Sequence, residues 1–520
     1  MNYKLLLHTV RYLKPKQIVY QVCRKVHKTK YCALVAPKHD MLQLKTAPIE
    51  KPECYKDGVF TFLNLSNDFT NWNEDKYGAL WTNNQCYFDW LGASTLSTPS
   101  TGSGTRSGAN LATEGAKWID RFIDDFDGIK QGRGSYSTAL RIMNWVKFLC
   151  KYPDCISEKR ENSLYSQLKF LENNIELQTM GNHVLEDAYA LFIGACYFGD
   201  KQLLKKASKL LLSQLEEQVL PDGAHYEQSP MYHCILLDRL LDCINISGHT
   251  DSTDNTDISA YSLRLTAYAS GMIGHLESIV WSDGSIPMLN DSANGIAPTA
   301  EQIFDYARRL GLKWEAVPMK ECGYRKMKNE RMEAIVDVGN ITATYQPGHT
   351  HADSLNYELR IDGKPFVVDT GISTYNKNER RQLERSSVAH NVVVVDGKNS
   401  SEVWGGFRVG KRCQVEIAGC GSTSSPTARN EVTASHNGFG KTCKRRFEMT
   451  ENEFVVEDWY DGEAISYIHL AEGADPKRIK IEGAMNIDIK PWMYSTEYNR
   501  FHNGKVMEIK FKNYINYTIQ

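Results

Sequence analysis

The chain has 520 residues, of which 42% are hydrophobic and 24% are charged, and its formal net charge is -2. This balance is typical of a folded globular protein, and it excludes a largely disordered chain and a strongly basic nucleic-acid-binding domain. At about 150 residues per domain, the length predicts roughly three domains, or two large ones. The 13 cysteines have neither metal-knuckle nor disulfide spacing, so we expect reduced thiols.

Residues 1–80 are interpreted as a basic N-terminal arm and a lead-in segment. Residues 1–51 carry 11 Lys or Arg and 2 Asp or Glu, a net charge of +9 against -11 for the rest of the chain. Such an arm either lies on a membrane surface or an acidic partner, or docks on its own acidic body. There is no long apolar run and no signal-peptide pattern, which predicts no stable membrane insertion and a cytoplasmic location, with the periplasm as the alternative.

Residues 81–325 are predicted to form a helical domain. From about residue 110 to residue 315, apolar residues recur at helical spacing, as in ALRIMNWVKFLCKY and QLLKKASKLLLSQLEEQVL. Short breaks such as PDG at 221–223 separate the segments. This pattern predicts antiparallel helix hairpins packed in pairs.

Residues 326–520 are predicted to form an antiparallel β-sandwich domain, which makes the fold class α+β and multidomain. The apolar period changes to two, as in AIVDVGNITATYQ and RRFEMTENEFVVEDWYDG. No phosphate-cradling glycine motif is present, so nucleotide chemistry is not expected. Four dipeptides are predicted to supply positive φ in tight hairpins: Asp362-Gly363, Asp396-Gly397, Asp461-Gly462 and Asn503-Gly504.

Two polar clusters interrupt the helical half. In the first, Asn182 is a good helix N-cap, and His183 and Glu186 lie on one face of the following helix. That cluster is either a plain helix start or a site that aims hydrogen-bond donors at an anion. The second cluster, DGAHYEQSPMYH at 222–233, is either a turn whose aromatic rings fill the end of a helix pair or a functional loop.

A third cluster, GHTHAD at 348–353, lies in the sheet half. In an extended segment, His349 and His351 point to the same face. Together with Asp369 and His390, two histidines and a carboxylate make a reasonable first shell for Zn²⁺. Histidines in strands are also commonly structural, so spacing alone leaves both interpretations open.

These clusters carry a resemblance to a known family. GHTHADSLNYELRIDGKPFVVDTGISTYN, followed by NERRQLERSSVAHNVVVVDG and SEVWGGFRVGKR, resembles the central signature of the heparinase II/III-like polysaccharide lyases, and GNHVLEDAYALF and DGAHYEQSPMYH resemble its helical-domain motifs. The resemblance implies an incomplete (α/α) toroid followed by an antiparallel β-sandwich, with the active site in the cleft between them. It also implies β-elimination at a 4-linked uronic acid, in glycosaminoglycans such as heparan sulfate, hyaluronan or chondroitin ahead of alginate-like substrates.

The resemblance further implies individual roles. Asn182 and His183 would neutralise the uronate carboxylate, Tyr232 would be the catalytic acid/base, and His349 would assist it or act as the base. Charge neutralisation is needed because the C5 proton is only weakly acidic beside a carboxylate. A tyrosine base would need a lowered pKa. The implied metal, usually zinc, would be structural, because the elimination needs no hydroxide nucleophile. The residues implied as its ligands are His351, Asp369 and His390.

Further residues are candidate substrate contacts. Tyr226 is the chief rival of Tyr232, and Tyr375 is a weaker candidate. Arginines suit uronate or sulfate groups because the guanidinium binds anions in a bidentate manner, although surface solvation is the default for each. The tryptophans are core residues about as often as groove residues. The candidates are Glu186, Tyr226, Trp90, Arg141, Trp145, Tyr375 and Arg385, with Arg380, Arg381 and Arg408 as further arginines.

Three rival functions remain. A glycoside hydrolase on a similar toroid would use two carboxylates among Glu186, Asp222 and Glu227. A non-catalytic protein would bind acidic glycans during surface-polysaccharide assembly. A metal-dependent hydrolase would be built on the histidines of the sheet half. For the lyase, the predicted partner is an acidic polysaccharide substrate. No nucleic acid and no organic cofactor are expected, and the oligomeric state stays open.

Overall fold

The computed structural model describes residues 3–26, 30–93, 108–247, 256–418 and 430–520. The helices are α1 Tyr3–Val10, α2 Pro15–Val26, α3 Ala79–Tyr87, α4 Gly108–Asp124, α5 Ser135–Lys151, α6 Glu158–Glu172, α7 Asn182–Phe198, α8 Lys201–Gln218, α9 Pro230–Ser247, α10 Thr256–Ile279, α11 Ala300–Arg309 and α12 Glu379–Glu384. The strands are β1 Tyr55–Lys56, β2 Val59–Phe62, β3 Leu65–Asp68, β4 Tyr324–Lys328, β5 Met332–Asp337, β6 Tyr357–Ile361, β7 Lys364–Val367, β8 Val393–Val394, β9 Val403–Trp404, β10 Arg408–Val409, β11 Val415–Ala418, β12 Glu431–His436, β13 Cys443–Met449, β14 Phe454–Leu470, β15 Ile479–Glu497 and β16 Arg500–Ile519.

Helix α7 lies at the centre of the helical half. Its sequence is apolar on every side, and nearly all of its residues are buried, as expected for a helix surrounded by other helices. It packs against α5, α8 and α9. The burial of α7 fixes its first turn, which carries Asn182 and His183, at the edge of the helical half that faces the sheet.

Eleven strands of the described residues form one curled antiparallel sheet, in the order β11-β12-β13-β14-β7-β6-β5-β4, with β8 and β16 pairing β14 and β15 pairing β16. Strand β5 is buried on both faces: Ala334 and Val336 face the core of the sheet, whereas Ile335 packs with the helical core. The helical half and the sheet therefore share an apolar interface. The predicted order of a helical toroid followed by a β-sandwich is confirmed.

The turn predictions have mixed outcomes. Asp362-Gly363 and Asp396-Gly397 have positive φ at both residues, as predicted. Only Asp362-Gly363 joins paired strands, β6 and β7, because β8 pairs with β14 instead of β9. Asp461-Gly462 instead forms a bulge within β14. Asn503-Gly504 lies inside β16, where glycine is needed because a Cβ at Gly504 would collide with the carbonyl of Leu470. The hairpin from β15 to β16 turns at Asn499, where φ is 57°.

The basic arm contacts both halves of the protein. In α1, His8 Nδ1 lies 2.7 Å from Glu402 Oε2 in the sheet half. After α1, Lys14 pairs with Glu217 at the end of α8 in the helical half. No helix among the described residues is long and apolar enough to cross a bilayer. The cysteines in the described ranges are free thiols, and Cys420 lies outside those ranges.

The sandwich core contains a buried ion pair that predicts a large stability effect. Arg445 donates to both carboxylate oxygens of Asp458, at 2.6 and 2.8 Å. We expect Asp458→Asn to lower the free energy of unfolding by about 3–5 kcal/mol, because it leaves a buried guanidinium without its counter-charge. Urea denaturation measures the change.

The matched control is Asp362→Asn. Asp362 accepts a similar bidentate pair from Arg331, but at the solvent-exposed surface. This variant should leave the free energy of unfolding nearly unchanged, because water solvates both partners. Equal losses in the two variants would contradict the importance of burial.

Candidate active site

A cavity of about 470 Å³ lies between the helical half and the sheet. Its volume is in the range of sites for small ligands or short polymer segments. The wall combines residues from the first turn of α7, from α9 and from the loops of the sheet half. The polar residues most relevant to chemistry are Asn182, His183, Glu186, Tyr232, His349 and Tyr375.

The buried carboxylate of Asp291 organises this cavity. His349 Nδ1 lies 2.9 Å from Oδ2, and His351 Nε2 lies 2.8 Å from Oδ1. Arg381 donates to both oxygens, at 2.5 and 2.7 Å. Burial acts to raise the pKa of Asp291, but the charge of Arg381 and the histidine hydrogen bonds outweigh it and hold that pKa well below its ordinary value. Asp291 is therefore a fixed anion that orients both imidazoles.

The contact with Asp291 sets the tautomer of neutral His349. Because Nδ1 donates to a carboxylate, Nε2 carries the lone pair. That nitrogen lies 3.2 Å from Asn182 Nδ2 and 3.5 Å from Glu227 Oε2. Asn182 also donates its side-chain amide to Glu227 at 2.8 Å and its backbone N–H to the same carboxylate at 2.9 Å. The N-cap of α7 is Gly181 rather than the predicted Asn182, and a Cβ at Gly181 would crowd Glu227.

Tyr232 stacks on His349. Their ring centroids are 3.8 Å apart, and the hydroxyl of Tyr375 lies 3.4 Å from that of Tyr232. Burial raises the pKa of the Tyr232 phenol above its ordinary value, so the phenol is protonated at neutral pH. Helix α9 positions this tyrosine: Pro230 begins the helix, and the hydroxyl of Ser229 accepts from the backbone N–H of Tyr232.

His183 and Arg239 supply positive charge to the cavity wall. His183 Nδ1 lies 2.5 Å from Glu176 Oε2. Burial acts to lower the pKa of His183, but the hydrogen bond and charge of Glu176 overcome that effect and raise it. The guanidinium of Arg239 lies 3.8 Å from Glu186 and 3.5 Å from Asp89. Both cations therefore have carboxylate partners already.

Several predicted substrate contacts lie away from the cavity. Trp90 and Trp145 pack in the aromatic core around Phe88, so the groove assignment is wrong for both. Arg141 is fully buried and donates to Gln167 and to backbone carbonyls, so its predicted role as a substrate contact is also wrong. All three side chains are almost completely buried, which leaves no face for a sugar.

Two more candidates act beneath the cavity surface. Tyr226 is buried and shares a 2.8 Å hydrogen bond with Tyr345, so it does not compete with Tyr232 for the cavity wall. Arg385 is fully buried and donates to the carbonyl of Thr350, between the two histidines of the third cluster. Its prediction as a substrate contact is corrected to a role in holding this loop. Of the predicted substrate contacts, Glu186 and Tyr375 line the cavity.

The three predicted metal ligands are buried neighbours. His390 Nδ1 lies 2.7 Å from Asp369 Oδ2, and the rings of His351 and His390 are 5.2 Å apart. His351 Nδ1 and His390 Nε2 have no hydrogen-bond partner, which fits metal ligands. Asp369, however, is already bonded to His390 and to Asn356 at 2.6 Å, so it orients His390 instead of completing a three-ligand group.

A second candidate metal group lies elsewhere in the described part of the chain. Asp222, His275 and Cys322 place one ligand atom each within 4.8 Å of one another. His275 Nδ1 is buried without a partner, but Asp222 Oδ2 already accepts two backbone N–H groups, both at 2.9 Å. Burial also raises the pKa of the Cys322 thiol well above its ordinary value, which opposes metal binding as a thiolate. The donor set does not select zinc.

Two important residues were absent from the sequence-based candidates. Asp291 lies in a loop whose sequence, MLNDSANG, has no distinguishing pattern. Arg239 did leave a signal, because ILLDRLLDC places charges inside an otherwise apolar helix. Buried charges of this kind need partners, and here they have them.

Comparisons with known proteins bear on this architecture. Residues 159–309 match the heparinase II/III N-terminus family model, and residues 312–503 match the heparinase II/III-like C-terminal model. A heparin-sulfate lyase of Pedobacter heparinus is 26% identical over 267 residues, which span 46% of this chain and 39% of that relative's length.

Solved structures share the fold. A crystal structure of a heparinase III superposes with a TM-score of 0.60 at 15% identity, covering 87% of this chain and 79% of that chain. A mutant of heparan sulfate lyase HepC from Pedobacter heparinus superposes with a TM-score of 0.56 at 15% identity, covering 97% and 87%. With both family models matched in order across the helical half and the sheet, the chain belongs to the heparinase II/III-like family.

Proposed function

We propose that the protein is a polysaccharide lyase that cleaves a 4-linked, uronate-containing glycan by β-elimination. One observation carries the proposal: a protonated tyrosine, Tyr232, stacks on an imidazole, His349, whose orientation is fixed by a buried anion. An acid and a base lie side by side in a cavity whose wall also holds amide and imidazole donors. Family membership and the likeness to heparinase III support the same reaction.

The first step is neutralisation of the uronate carboxylate. Hydrogen bonds from Asn182 and His183 would withdraw charge from that carboxylate and stabilise the negative charge that develops when C5 loses its proton. In the free protein, the amide of Asn182 is engaged with Glu227 and His349. A substrate carboxylate that takes over one amide hydrogen would release the lone pair of His349 Nε2. Substrate binding would thereby free the base.

The second step is proton transfer. Because the Tyr232 phenol keeps its proton at neutral pH, it can donate that proton to the leaving O4 atom, with His349 Nε2 accepting the C5 proton. This division of roles needs no tyrosinate in the resting protein. The electrons of the C5–H bond form the C4–C5 double bond as the C4–O4 bond breaks, and the product carries an unsaturated uronate.

The charge of the cavity favours a moderately charged glycan. Arg239 is matched by Asp238 at 2.9 Å and by nearby Asp89. Arg381 is matched by Asp291. Since these guanidinium groups are already neutralised, the best substrates are expected among heparan sulfate, hyaluronan and chondroitin, ahead of highly sulfated heparin.

The hydrolase alternative has little support in this geometry. A glycosidase needs two carboxyl groups flanking the scissile bond. Of the three acids considered, Glu186 lines the cavity, whereas Asp222 is bonded to backbone N–H groups and Glu227 is bonded to Asn182. No pair of these acids faces a shared bond.

We also propose that the unpartnered ring nitrogens of His351 and His390 hold a divalent cation, with zinc suited to the donor chemistry. The metal would be structural: it would brace the loop that carries His349, and this chain's own tyrosine and imidazole would move the protons. Asp369 would orient His390 through its 2.7 Å hydrogen bond.

Glu186 predicts a pH dependence of stability. Burial raises its pKa to about 7, although the charge of Arg239 opposes the shift. The folded state keeps this proton up to about pH 7, whereas the unfolded chain releases it near pH 4.3. The protonated carboxyl therefore contributes its full stability below about pH 4.3 and loses it as the pH rises through 7.

We expect Glu186→Gln to gain about 3 kcal/mol in unfolding free energy relative to wild type between pH 4.3 and pH 8, since glutamine cannot ionise. Urea titrations across that window measure the difference. Glu301→Gln, on the exposed surface of α11, is the control and should track wild type. A difference that stays constant with pH would contradict the raised pKa.

Tyr232→Phe is expected to lower the elimination rate by about 100- to 10,000-fold, because it removes the acid and retains the ring stacked on His349. Ultraviolet absorbance of the unsaturated uronate, over heparan sulfate, hyaluronan, chondroitin and alginate, measures the activity. Tyr226→Phe is the matched control and should retain most of it, since Tyr226 lies outside the cavity wall.

The same panel separates the rival functions. Chain cleavage without the ultraviolet chromophore would favour the hydrolase. If wild type binds the glycans without cleaving them, and Tyr232→Phe binds them equally well, a non-catalytic glycan-binding protein is favoured. Either result overturns the lyase proposal.

Metal removal tests the structural site. We expect chelation to lower the melting temperature and to leave the initial rate of the folded protein largely unchanged. We also expect His390→Ala to lose the bound metal. His436→Ala, a buried histidine in β12, is the control and should retain it. An immediate loss of turnover without unfolding would contradict a structural role. If Cys322→Ser loses the metal and His390→Ala keeps it, the metal is bound by Asp222, His275 and Cys322 instead.

A further inference from the structure

Helices α1 and α2 present their apolar side chains to solvent. Of the 18 large hydrophobic side chains exposed among the described residues, 7 lie in these two helices, so exposure is concentrated here. Leu7 is 70% exposed, and Val19 and Val22 are 55% and 59% exposed. A surface helix of a globular protein normally buries its apolar stripe. Here seven such side chains are exposed instead, whereas Leu5 and Leu6 of α1 are half-buried.

In each helix, three of the exposed apolar residues share one side. At about 100° per residue, Tyr3, Leu7 and Val10 fall within a narrow sector of α1. In α2, Ile18, Val19 and Val22 fall within a sector of about 100°. We call these six residues the apolar faces of the arm. An apolar stripe of this kind needs a partner, since exposing it to water costs free energy.

Polar residues fasten the opposite sides to the protein. In α1, His8 pairs with Glu402, and Trp404 Nε1 donates to Thr9 Oγ1 at 3.1 Å. In α2, the side-chain amide of Gln17 donates to the carbonyl of Thr179 at 3.1 Å, and Arg24 donates to Ser135 at 3.1 Å. The arm is therefore held in place with its apolar faces outward.

Two exposed cations lie beside these faces. Residues 1–51 carry a net charge of +9, whereas the remainder of the chain carries -11. Arg11 and Lys16 are exposed, as are the apolar side chains beside them. Outward apolar residues bordered by cations complement the headgroup region of a bilayer that contains anionic lipids, where apolar groups reach the acyl boundary and cations meet phosphates.

We propose that α1 and α2 form an interfacial anchor that lies on an anionic phospholipid surface. The anchor does not span the bilayer, in agreement with the lengths and composition of the helices. Its occupant is a lipid surface rather than an acidic soluble partner, because the outermost groups are aliphatic and not polar. This interaction is separate from the cavity, and it does not depend on the lyase reaction.

Flotation of the full chain with vesicles tests the anchor. We expect binding to vesicles of phosphatidylcholine with about one third phosphatidylglycerol, little binding to pure phosphatidylcholine, and weakening at high salt. The triple variant Leu7→Gln, Val19→Gln, Val22→Gln should bind at least about tenfold more weakly, because it removes apolar contact without changing charge.

Two matched controls define the outcome. Met485→Gln, Ile487→Gln, Ile489→Gln alters three similarly exposed apolar side chains on β15 and should bind as wild type does. Replacing Arg11 and Lys16 by Gln should weaken binding, whereas replacing the exposed Lys201 and Lys205 of α8 should not. Circular dichroism checks that each variant is folded.

Three vesicle results would overturn the proposal: no binding of wild type to the anionic vesicles at low salt, equal losses of binding in the arm and β15 variants, or binding that is the same with and without anionic lipid. Sedimentation gives a fourth test. If wild type forms dimers but does not bind vesicles, and the arm variant stays monomeric, the apolar faces bind a second copy of the chain. That result would also overturn the proposal.

Discussion

The buried carboxylate of Asp291 is the interaction on which the proposed active site depends. It comes from a loop of the helical half, and it binds two histidines and an arginine of the sheet half. Leaving such a group without partners costs several kcal/mol, so the two halves are held in one arrangement around it. The same contact orients His349, on which Tyr232 stacks. The geometry of the proposed chemistry thus follows from a single buried anion.

The interface between the halves gives this anion its environment. Strand β5 packs against both the sandwich core and the helical core, and the buried helix α7 begins at the cavity. Asp291 and Arg381 are fully buried, and the low dielectric of the interior strengthens the charged contact between them. For that reason Arg381 and Arg385, which look like anion-binding residues in the sequence, are used to hold loops around the histidines.

Sequence patterns predicted much of the fold because they report local environment. The change of apolar period separates helices from strands, and the Asp-Gly turns at 362 and 396 follow from backbone preferences. The same reasoning misplaced Asn503-Gly504, whose glycine serves a close approach between strands, and Trp90 and Trp145, whose rings fill a core. Aromatic and turn residues suit several environments, and only the contacts of the folded chain decide which one applies.

The sequence by itself determined the order of the two halves, the family resemblance, and the tyrosine, histidines and amide proposed for the chemistry, because these depend on short-range spacing. Tertiary structure decided which of those side chains meet. Asp291 lies 58 residues from His349 and 90 from Arg381, and no local pattern links positions so distant. The structure also decided that the apolar sides of the basic arm face outward, since its polar sides find partners on both halves of the protein.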